Sequence, residues 1–447
     1  MNRLAFLCAL LACGHASAQL HLPGANLPPN LTLSLPSGLS QGLGQAGSLI
    51  RPVERLVDRR ELPDLRGLRL EQGARLLRQY PNRIEADPRG EPVLRGEILA
   101  WNPSPAALQA ARETGMTVLR EDRLDELEQV LVVLGVPAGS ATAAMLERLR
   151  TADPDGHYDF NHVYIGSGAA LPATPSAAGA DPAPPASPGG MAPRMGLVDS
   201  GVQVDHRALR SATVRTWGCD GAAHPAAHGT AVAALMVGRD GRFRGAVPGA
   251  TLYAADIYCD SPAGGSAERI AQALAWLARE QVGVINLSLV GPPNGVLERT
   301  VAAMLARGHL LVAAVGNDGP AAPPLFPASY PGVVGVTGVD RDGRPLPEAA
   351  RGPQVQFAAP GNHMASASPG TPPYRTVRGT SFAAPIVAGL LAPALPRPDR
   401  ERARAAVAAL ARQAAGMGAD GTGTGNDPAL GRGIVGADIR TDPASLR

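Results

Sequence analysis

The chain has 447 residues, a formal net charge of +2 at neutral pH, and a composition that is 45% hydrophobic but only 4% aromatic. This length favours two folded domains joined by linkers, and the near-neutral charge argues against binding to nucleic acid or to a membrane surface. With few aromatic residues, the core must be built from Ala, Val and Leu, as in small-residue helices packed on a parallel sheet.

The N-terminus has the organisation of a secretory signal peptide at residues 1–18. Arg3 precedes a short apolar run, Leu4 to Ala12, and Ala16-Ser17-Ala18 forms an A-x-A cleavage site. The run is too short to span a bilayer, so we expect export to the periplasm or beyond. An alternative is a lipoprotein signal in which Cys13 becomes the lipidated first residue.

Two of the four cysteines lie in this signal, which leaves Cys219 and Cys259 in the exported protein. An oxidising compartment favours a disulfide between them. Two unrelated buried thiols are the alternative.

Residues 19–92 are of low complexity or rich in Arg, with one helix predicted at 70–79. Residues 93–165 are better ordered. The strands are predicted at 97–101, 117–119, 129–136 and 162–165, and the helices at 105–113 and 140–150. The order βαββαβ predicts a small ferredoxin-like α+β sandwich.

Residues 166–193 are almost wholly Ala, Pro, Gly and Ser, which indicates a linker accessible to proteases. From 194 to 442, apolar strands alternate with helices, the pattern of a doubly wound parallel α/β sheet. In such sheets the active site lies at the carboxyl ends of the strands. Asp199 and Asn317 follow strands and His228 and Ser381 begin helices, so the four can converge on one edge.

Ser381 taken alone is more often a helix N-cap than a nucleophile. We place Pro385 in the first turn of the same helix, where its missing N–H costs little. A serine nucleophile needs a neutral imidazole, a buried carboxylate that orients the imidazole, and a donor for the oxyanion. His228, Asp199 and Asn317 are the candidates for these three roles.

Four segments resemble the motifs of the subtilisin-like serine peptidases, in the order of that family. They are GLVDSGVQVDH (196–206), HGTAVAALMVG (228–238), AAVGNDG (313–319) and GTSFAAPIVAG (379–389). The resemblance extends over about residues 194–440. It implies a triad of Asp199, His228 and Ser381 with Asn317 in the oxyanion hole, roles that come from the mechanism known for subtilisin. An α/β-hydrolase is excluded because it needs a G-x-S-x-G elbow and the order Ser, acid, His.

VINLSL (284–289) is similar to the family strand that pairs with an extended substrate, which implies substrate binding by Ser288, Leu289, Val290 and Gly291. Val290 stands where the family usually has Gly. A branched side chain there narrows the pocket for the residue before the cut, so we expect a preference for small or modest apolar residues.

Many subtilases carry a ferredoxin-like propeptide, and DFNHVYIG (159–166) resembles the end of one. The resemblance implies that residues 93–165 assist folding and then inhibit the enzyme within the same chain, and that the enzyme processes itself near the linker. A permanent accessory domain is the alternative.

These inferences predict an exported, monomeric serine endopeptidase that acts on peptides or proteins and loses activity below about pH 6, where its histidine is protonated. No cofactor is required; calcium often stabilises the family, but no metal ligands can be identified in the sequence. The alternative function is a protein that cuts itself once and then acts as a binding or scaffold module with its propeptide in place.

Overall fold

A computed structural model describes residues 67–166, 169–170, 193–261, 264–416 and 427–446. All of them belong to the unit Leu62–Arg447. The predicted signal peptide, most of the 19–92 region and most of the linker lie outside the described residues.

The described helices and strands are numbered in chain order. The helices are α1 (Leu68–Gln79), α2 (Pro105–Glu113), α3 (Thr142–Ala152), α4 (Ala227–Val237), α5 (Ala267–Arg279), α6 (Gly295–Ala306), α7 (Thr380–Leu391) and α8 (Arg400–Gly416). The strands are β1 (Ile84–Ala86), β2 (Pro92–Trp101), β3 (Thr117–Leu124), β4 (Gln129–Gly135), β5 (His157–His162), β6 (Ile165–Gly166), β7 (Ala169–Ala170), β8 (Arg194–Asp199), β9 (Thr213–Trp217), β10 (Arg239–Asp240), β11 (Phe243–Arg244), β12 (Thr251–Asp256), β13 (Val284–Leu287), β14 (Leu289–Val290), β15 (Leu310–Ala314), β16 (Val334–Val339), β17 (Val355–Pro360), β18 (Met364–Ala367) and β19 (Tyr374–Arg378).

The N-terminal domain has the predicted ferredoxin-like strand order. Its antiparallel sheet runs β3-β4-β2-β5, with α2 and α3 as the two crossover helices, and β1 pairs with the start of β2. Two boundaries differ from the prediction. The last strand is β5, five residues earlier than predicted at its start, because Val163–Gly166 leave this sheet for the other domain. The domain also begins before residue 93, since α1 and β1 pack on β2.

The second domain is built on seven parallel strands in the order β17-β16-β15-β13-β8-β12-β9. Apolar side chains cover both faces of the sheet. One buried cluster includes α4 and α7, and the other includes α5 and α6. This is the predicted doubly wound α/β fold, with a core rich in Ala, Val and Leu. Strand β9, the β18–β19 hairpin and helix α8 were not predicted; β9 is a partly exposed edge strand with a polar sequence.

The N-terminal domain packs against α5 and α6. Leu99, Leu131 and Val133 of its sheet are buried in the same cluster as these helices. Polar contacts surround this apolar centre: Asp159 Oδ2 accepts a 2.7 Å hydrogen bond from the first N–H of α6. Arg120 pairs with Glu268 in the first turn of α5 through bonds of 2.7 and 2.9 Å. The docking directs the chain after β5 toward the carboxyl edge of the parallel sheet.

No described helix combines the length and the apolar character that a membrane span requires.

Candidate active site

Asp199, His228 and Ser381 lie in hydrogen-bonding contact at the carboxyl edge of the parallel sheet. His228 Nδ1 is 2.8 and 3.0 Å from the two carboxylate oxygens of Asp199. On the other side of the ring, Nε2 is 3.0 Å from Ser381 Oγ. An ionised carboxylate can only accept, so Nδ1 carries the proton and Nε2 is the acceptor that faces the serine hydroxyl.

Each of the three residues is placed by the end of a regular element. Asp199 is the last residue of the interior strand β8, and its side chain is 2% exposed. His228 lies in the first turn of α4, where Gly229 allows a close approach: a Cβ at Gly229 would lie 2.0 Å from the carbonyl oxygen of Ser200. Ser200 Oγ in turn accepts a 3.0 Å bond from the Gly229 N–H. The turn after β8 and the start of α4 are therefore locked together.

Ser381 is the second residue of α7 and is fully buried. The structure corrects the prediction for Pro385, which is the sixth residue of α7 rather than a first-turn residue. In an α-helix the N–H of residue 385 would bond to the carbonyl of Ser381. Proline lacks that donor, and Ser288 Oγ donates to this carbonyl instead, at 2.8 Å. Asn286 Nδ2 donates to Ser288 Oγ at 2.8 Å and completes a buried chain of hydrogen bonds.

Asn317 is oriented by the residue that precedes the serine. Its Oδ1 accepts a 3.0 Å bond from the Thr380 N–H, so the donor end of the amide faces away from Thr380. Thr380 Oγ1 accepts a 3.2 Å bond from the N–H of Gly316, which has a left-handed φ of 100°. Sequence reasoning missed this role of Thr380, although its place in the GTS motif was the available signal.

The charge of Asp199 controls the ionisation of His228. Burial lowers the pKa of the imidazole, but the charge and the hydrogen bond of Asp199 outweigh burial and leave the pKa above its ordinary value of 6.5.

A segment of the same chain lies in the cleft beside this site. Strand β6 pairs antiparallel with β14, Gly166 opposite Leu289 and Ile165 opposite Val290. A Cβ at Gly166 would lie 3.8 Å from the His228 ring. Three residues further on, β7 pairs antiparallel with β19, Ala169 opposite Arg378. The chain therefore pairs with the second domain on both sides of Ser381.

The predicted substrate-binding residues lie along this cleft and play different parts. The backbones of Leu289 and Val290 pair with β6, whereas the Ser288 side chain is turned inward to Ser381. Val290 is buried beside Gly316: a Cβ added to Gly316 would lie 3.6 Å from Val290 Cγ1. Gly291 leaves room for an aromatic ring: a Cβ there would lie 2.5 Å from the ring of Tyr164.

Tyr164 fills a fully buried pocket at the N-terminal end of β6. Its hydroxyl donates to the carbonyl of Pro292 at 2.8 Å, and its N–H donates to the carbonyl of Gly265 at 2.8 Å. Tyr258 Oη donates to the Tyr164 carbonyl at 3.2 Å. Both the backbone and the side chain of Tyr164 are thus held by the second domain.

Cys219 and Cys259 are joined by a disulfide in the structure, across 40 residues of sequence. Cys259 follows Tyr258, so the bond ties one wall of the cleft to the segment that begins after β9.

The chain matches the family model described as Subtilase family over residues 190–433. Subtilisin Savinase of Lederbergia lenta is 36% identical over 168 residues, and the match spans 37% of this chain but less than two thirds, 61%, of Savinase. Thermitase of Thermoactinomyces vulgaris is 32% identical over 209 residues, which cover 45% of this chain and 74% of thermitase.

The solved structure of fervidolysin from Fervidobacterium pennivorans, a keratinolytic enzyme related to subtilisin, shares the fold. The two superpose with a TM-score of 0.62 at 18% identity, over 80% of this chain and 62% of fervidolysin. The family match, with the Thermitase relationship, shows that this chain belongs to the subtilase family.

Proposed function

We propose that this protein is a serine endopeptidase that works through an acyl-enzyme. The observation that carries the proposal is the continuous contact from Asp199 through His228 to Ser381 Oγ, at 2.8 and 3.0 Å. The Ser381 proton moves to His228 Nε2 as Oγ bonds to the peptide carbonyl carbon. The imidazolium then gives this proton to the leaving amine as the C–N bond breaks. A water molecule, deprotonated by the same nitrogen, releases the acyl group and restores Ser381.

The negative charge that develops on the carbonyl oxygen is stabilised by two donors. One is Asn317 Nδ2, whose direction is set by the bond from Thr380 to Oδ1. The other is the backbone N–H of Ser381, in the first turn of α7, where N–H groups have no intrahelical partner.

The substrate binds as an added strand. Strands β6 and β7 occupy the positions that the substrate would take beside β14 and β19. Gly166 lies beside His228, and Ala169 pairs with Arg378, three residues before Ser381. We therefore infer that the first bond cut lies within the stretch Gly166–Ala169. Val290, buried beside Gly316, supports a preference for small or modest apolar residues before the cut.

The N-terminal domain acts as a propeptide that inhibits the enzyme until it is removed. Its segment Tyr164–Gly166 fills the cleft where a substrate would lie. Helix α1 adds a second cover: Gln72 and Leu76 face His228 across a cavity of about 370 Å³. Arg69 of this helix bridges Glu91 and Asp318, the residue after Asn317, at 2.7 Å each.

The proposal also includes export directed by the leader at residues 1–18. The protein then folds as a zymogen and acts as a monomer. Peptides and proteins are the substrates, and no cofactor takes part in the chemistry.

The test compares the wild type with Ser381→Ala, as full chains. We expect the wild type to shorten itself, to hydrolyse casein and to react covalently with a fluorophosphonate, while Ser381→Ala does none of these. A wild type that shortens itself but never cuts casein would instead support the self-processing scaffold. A Ser381→Ala variant that still processes itself in pure form would remove Ser381 as the nucleophile.

A further inference from the structure

A buried ion pair lies close to the proposed nucleophile and has no part in the triad. Arg378 Nε and Nη2 donate to the two carboxylate oxygens of Glu348 at 2.7 and 2.8 Å. The side chains are only 11% and 4% exposed. Removing two charges from water costs free energy. The attraction between the two groups offsets this cost only when their hydrogen-bond geometry is good.

Arg378 belongs to the edge that meets the part of a substrate beyond the cut. It is the last residue of β19, three residues before Ser381, and its backbone pairs with Ala169. Gly379, next in the chain, donates a 2.8 Å bond to the carbonyl of Gly361. The short connection from this edge into α7 is therefore held by the Gly379 backbone bond and, through Arg378, by the ion pair with Glu348.

Glu348 belongs to the support of the oxyanion loop. Its carbonyl accepts a 2.8 Å bond from the Gly319 N–H, and the N–H of Ala350 donates to the Gly316 carbonyl at 3.1 Å. These two bonds hold the loop on both sides of Asn317. Glu348 is thus attached to the loop that carries Asn317, and Arg378 is attached to the end of β19 that leads to Ser381. Their ion pair connects these two segments.

We propose that the Arg378–Glu348 pair is a positioning device that fixes the oxyanion loop relative to the edge that binds the leaving-group side of the substrate. The inference rests on the proposed endopeptidase function. Neither side chain touches the reacting atoms. A two-point Arg–carboxylate contact fixes an angle as well as a distance, and a displacement of about 1 Å at a reaction centre can cost about 100-fold in rate.

The experiment compares Glu348→Gln with the wild type on two substrates. One is an internally quenched peptide with residues on both sides of the cut, and the other is a peptide anilide with none beyond it. We expect kcat on the quenched peptide to fall about 10- to 100-fold with a smaller change in KM, and the loss on the anilide to be several-fold smaller. Glu280→Gln is the control: it removes a carboxylate 4.0 Å from Arg194, at the amino end of the same sheet, and should leave both activities unchanged.

A second arm tests the link to the oxyanion loop. If Glu348 acts through Asn317, adding Glu348→Gln to Asn317→Ala lowers kcat much less than it does in the wild type. A role in stability alone would give equal losses on both substrates and the same factor in both backgrounds, and would overturn the proposal.

Glu348→Asp keeps the charge but shortens the side chain, and it decides the matter if Glu348→Gln does not fold. We expect Glu348→Asp to react stoichiometrically with a fluorophosphonate yet to turn over the quenched peptide at least several-fold more slowly than the wild type. A Glu348→Asp variant that turns over the peptide at the wild-type rate would reject the proposal. A wild-type protein that cuts neither substrate would reject the endopeptidase function itself, which is a distinguishable result.

Discussion

Ser288 Oγ donates a 2.8 Å hydrogen bond to the carbonyl oxygen of Ser381, the oxygen that Pro385 leaves without a helical donor. The link between β13 and β14 thereby holds the first turn of α7, which carries the proposed nucleophile. We expect Ser288→Ala to lower the free energy of unfolding by about 1–3 kcal/mol, since a buried carbonyl loses its partner, and also to lower kcat.

The matched control is Ser366→Ala, because Ser366 is buried and its hydroxyl donates to the Ala231 carbonyl at 2.7 Å. Unfolding is measured in the Ser381→Ala background to prevent self-digestion, and kcat in the active background. Both variants should lose stability, but only Ser288→Ala should lose kcat. Equal kcat in the two variants would show that the Ser288 bond supports the fold alone.

We expect the raised pKa of His228 to set the acid limit of activity. The proposed mechanism requires the neutral imidazole, so kcat/KM should fall as the pH drops through a midpoint above 6.5, higher than the limit of about pH 6 expected from the sequence. Asp199→Asn removes the charge that raises the pKa, and it should lower the midpoint as well as kcat. Profiles of kcat/KM between pH 5 and 9 measure both effects; a wild-type midpoint below 6 would contradict the role of Asp199.

Asn317→Ala removes one of the two proposed oxyanion donors. We expect kcat to fall about 100- to 1,000-fold with little change in KM, a magnitude taken from the corresponding donor in subtilisin itself. Asp318→Asn, in the neighbouring residue, is the comparison and should keep most of the activity of the processed enzyme. A kcat within a few-fold of the wild type for Asn317→Ala would remove this residue from the oxyanion hole.

Arg69→Ala should loosen helix α1 over the cleft, because Glu91 and Asp318 lose the cation that they share. We expect faster amide hydrogen exchange in residues 68–79 of the Ser381→Ala full chain and weaker inhibition of the active chain. Arg78→Ala, at the exposed end of the same helix, is the control. Unchanged exchange in Arg69→Ala would show that apolar packing alone keeps the helix in place.

The Cys219–Cys259 disulfide closes a loop of 40 residues. On the chain-entropy account, replacing both cysteines by serine should lower the free energy of unfolding by about 3–4 kcal/mol. Denaturant unfolding of the double variant in the Ser381→Ala background measures this loss. If reduction of the parent protein and the double substitution both leave the midpoint unchanged, the bond does not form in solution.

The sequence predicted elements with a strong local pattern. The apolar strands and the small-residue helices placed Asp199, His228, Asn317 and Ser381 at one sheet edge, where the structure has them. Helix α1 has a weaker apolar pattern, and Gly73 is its one buried residue, so its position over the cleft was not predicted.

Contacts between residues that are far apart in the chain have no local sequence pattern that predicts them. The Ser288 bond to Ser381 joins residues 93 apart, and the pairing of Arg378 with Glu348 spans 30. Each depends on how two segments far apart in the sequence meet at the sheet edge. Propensity and periodicity describe neighbours along one element, so they do not report such meetings.

The pairing of β6 with β14 and of β7 with β19 has a consequence for the kinetics of self-processing. Both strands belong to the same chain as Ser381, so the self-processing that we propose needs no encounter between molecules. Its half-time should therefore be independent of protein concentration. On the proposed function, the cut removes the high effective concentration that a covalent connection gives the N-terminal domain. We therefore expect dilution to activate the processed enzyme, because the separated inhibitor can diffuse away.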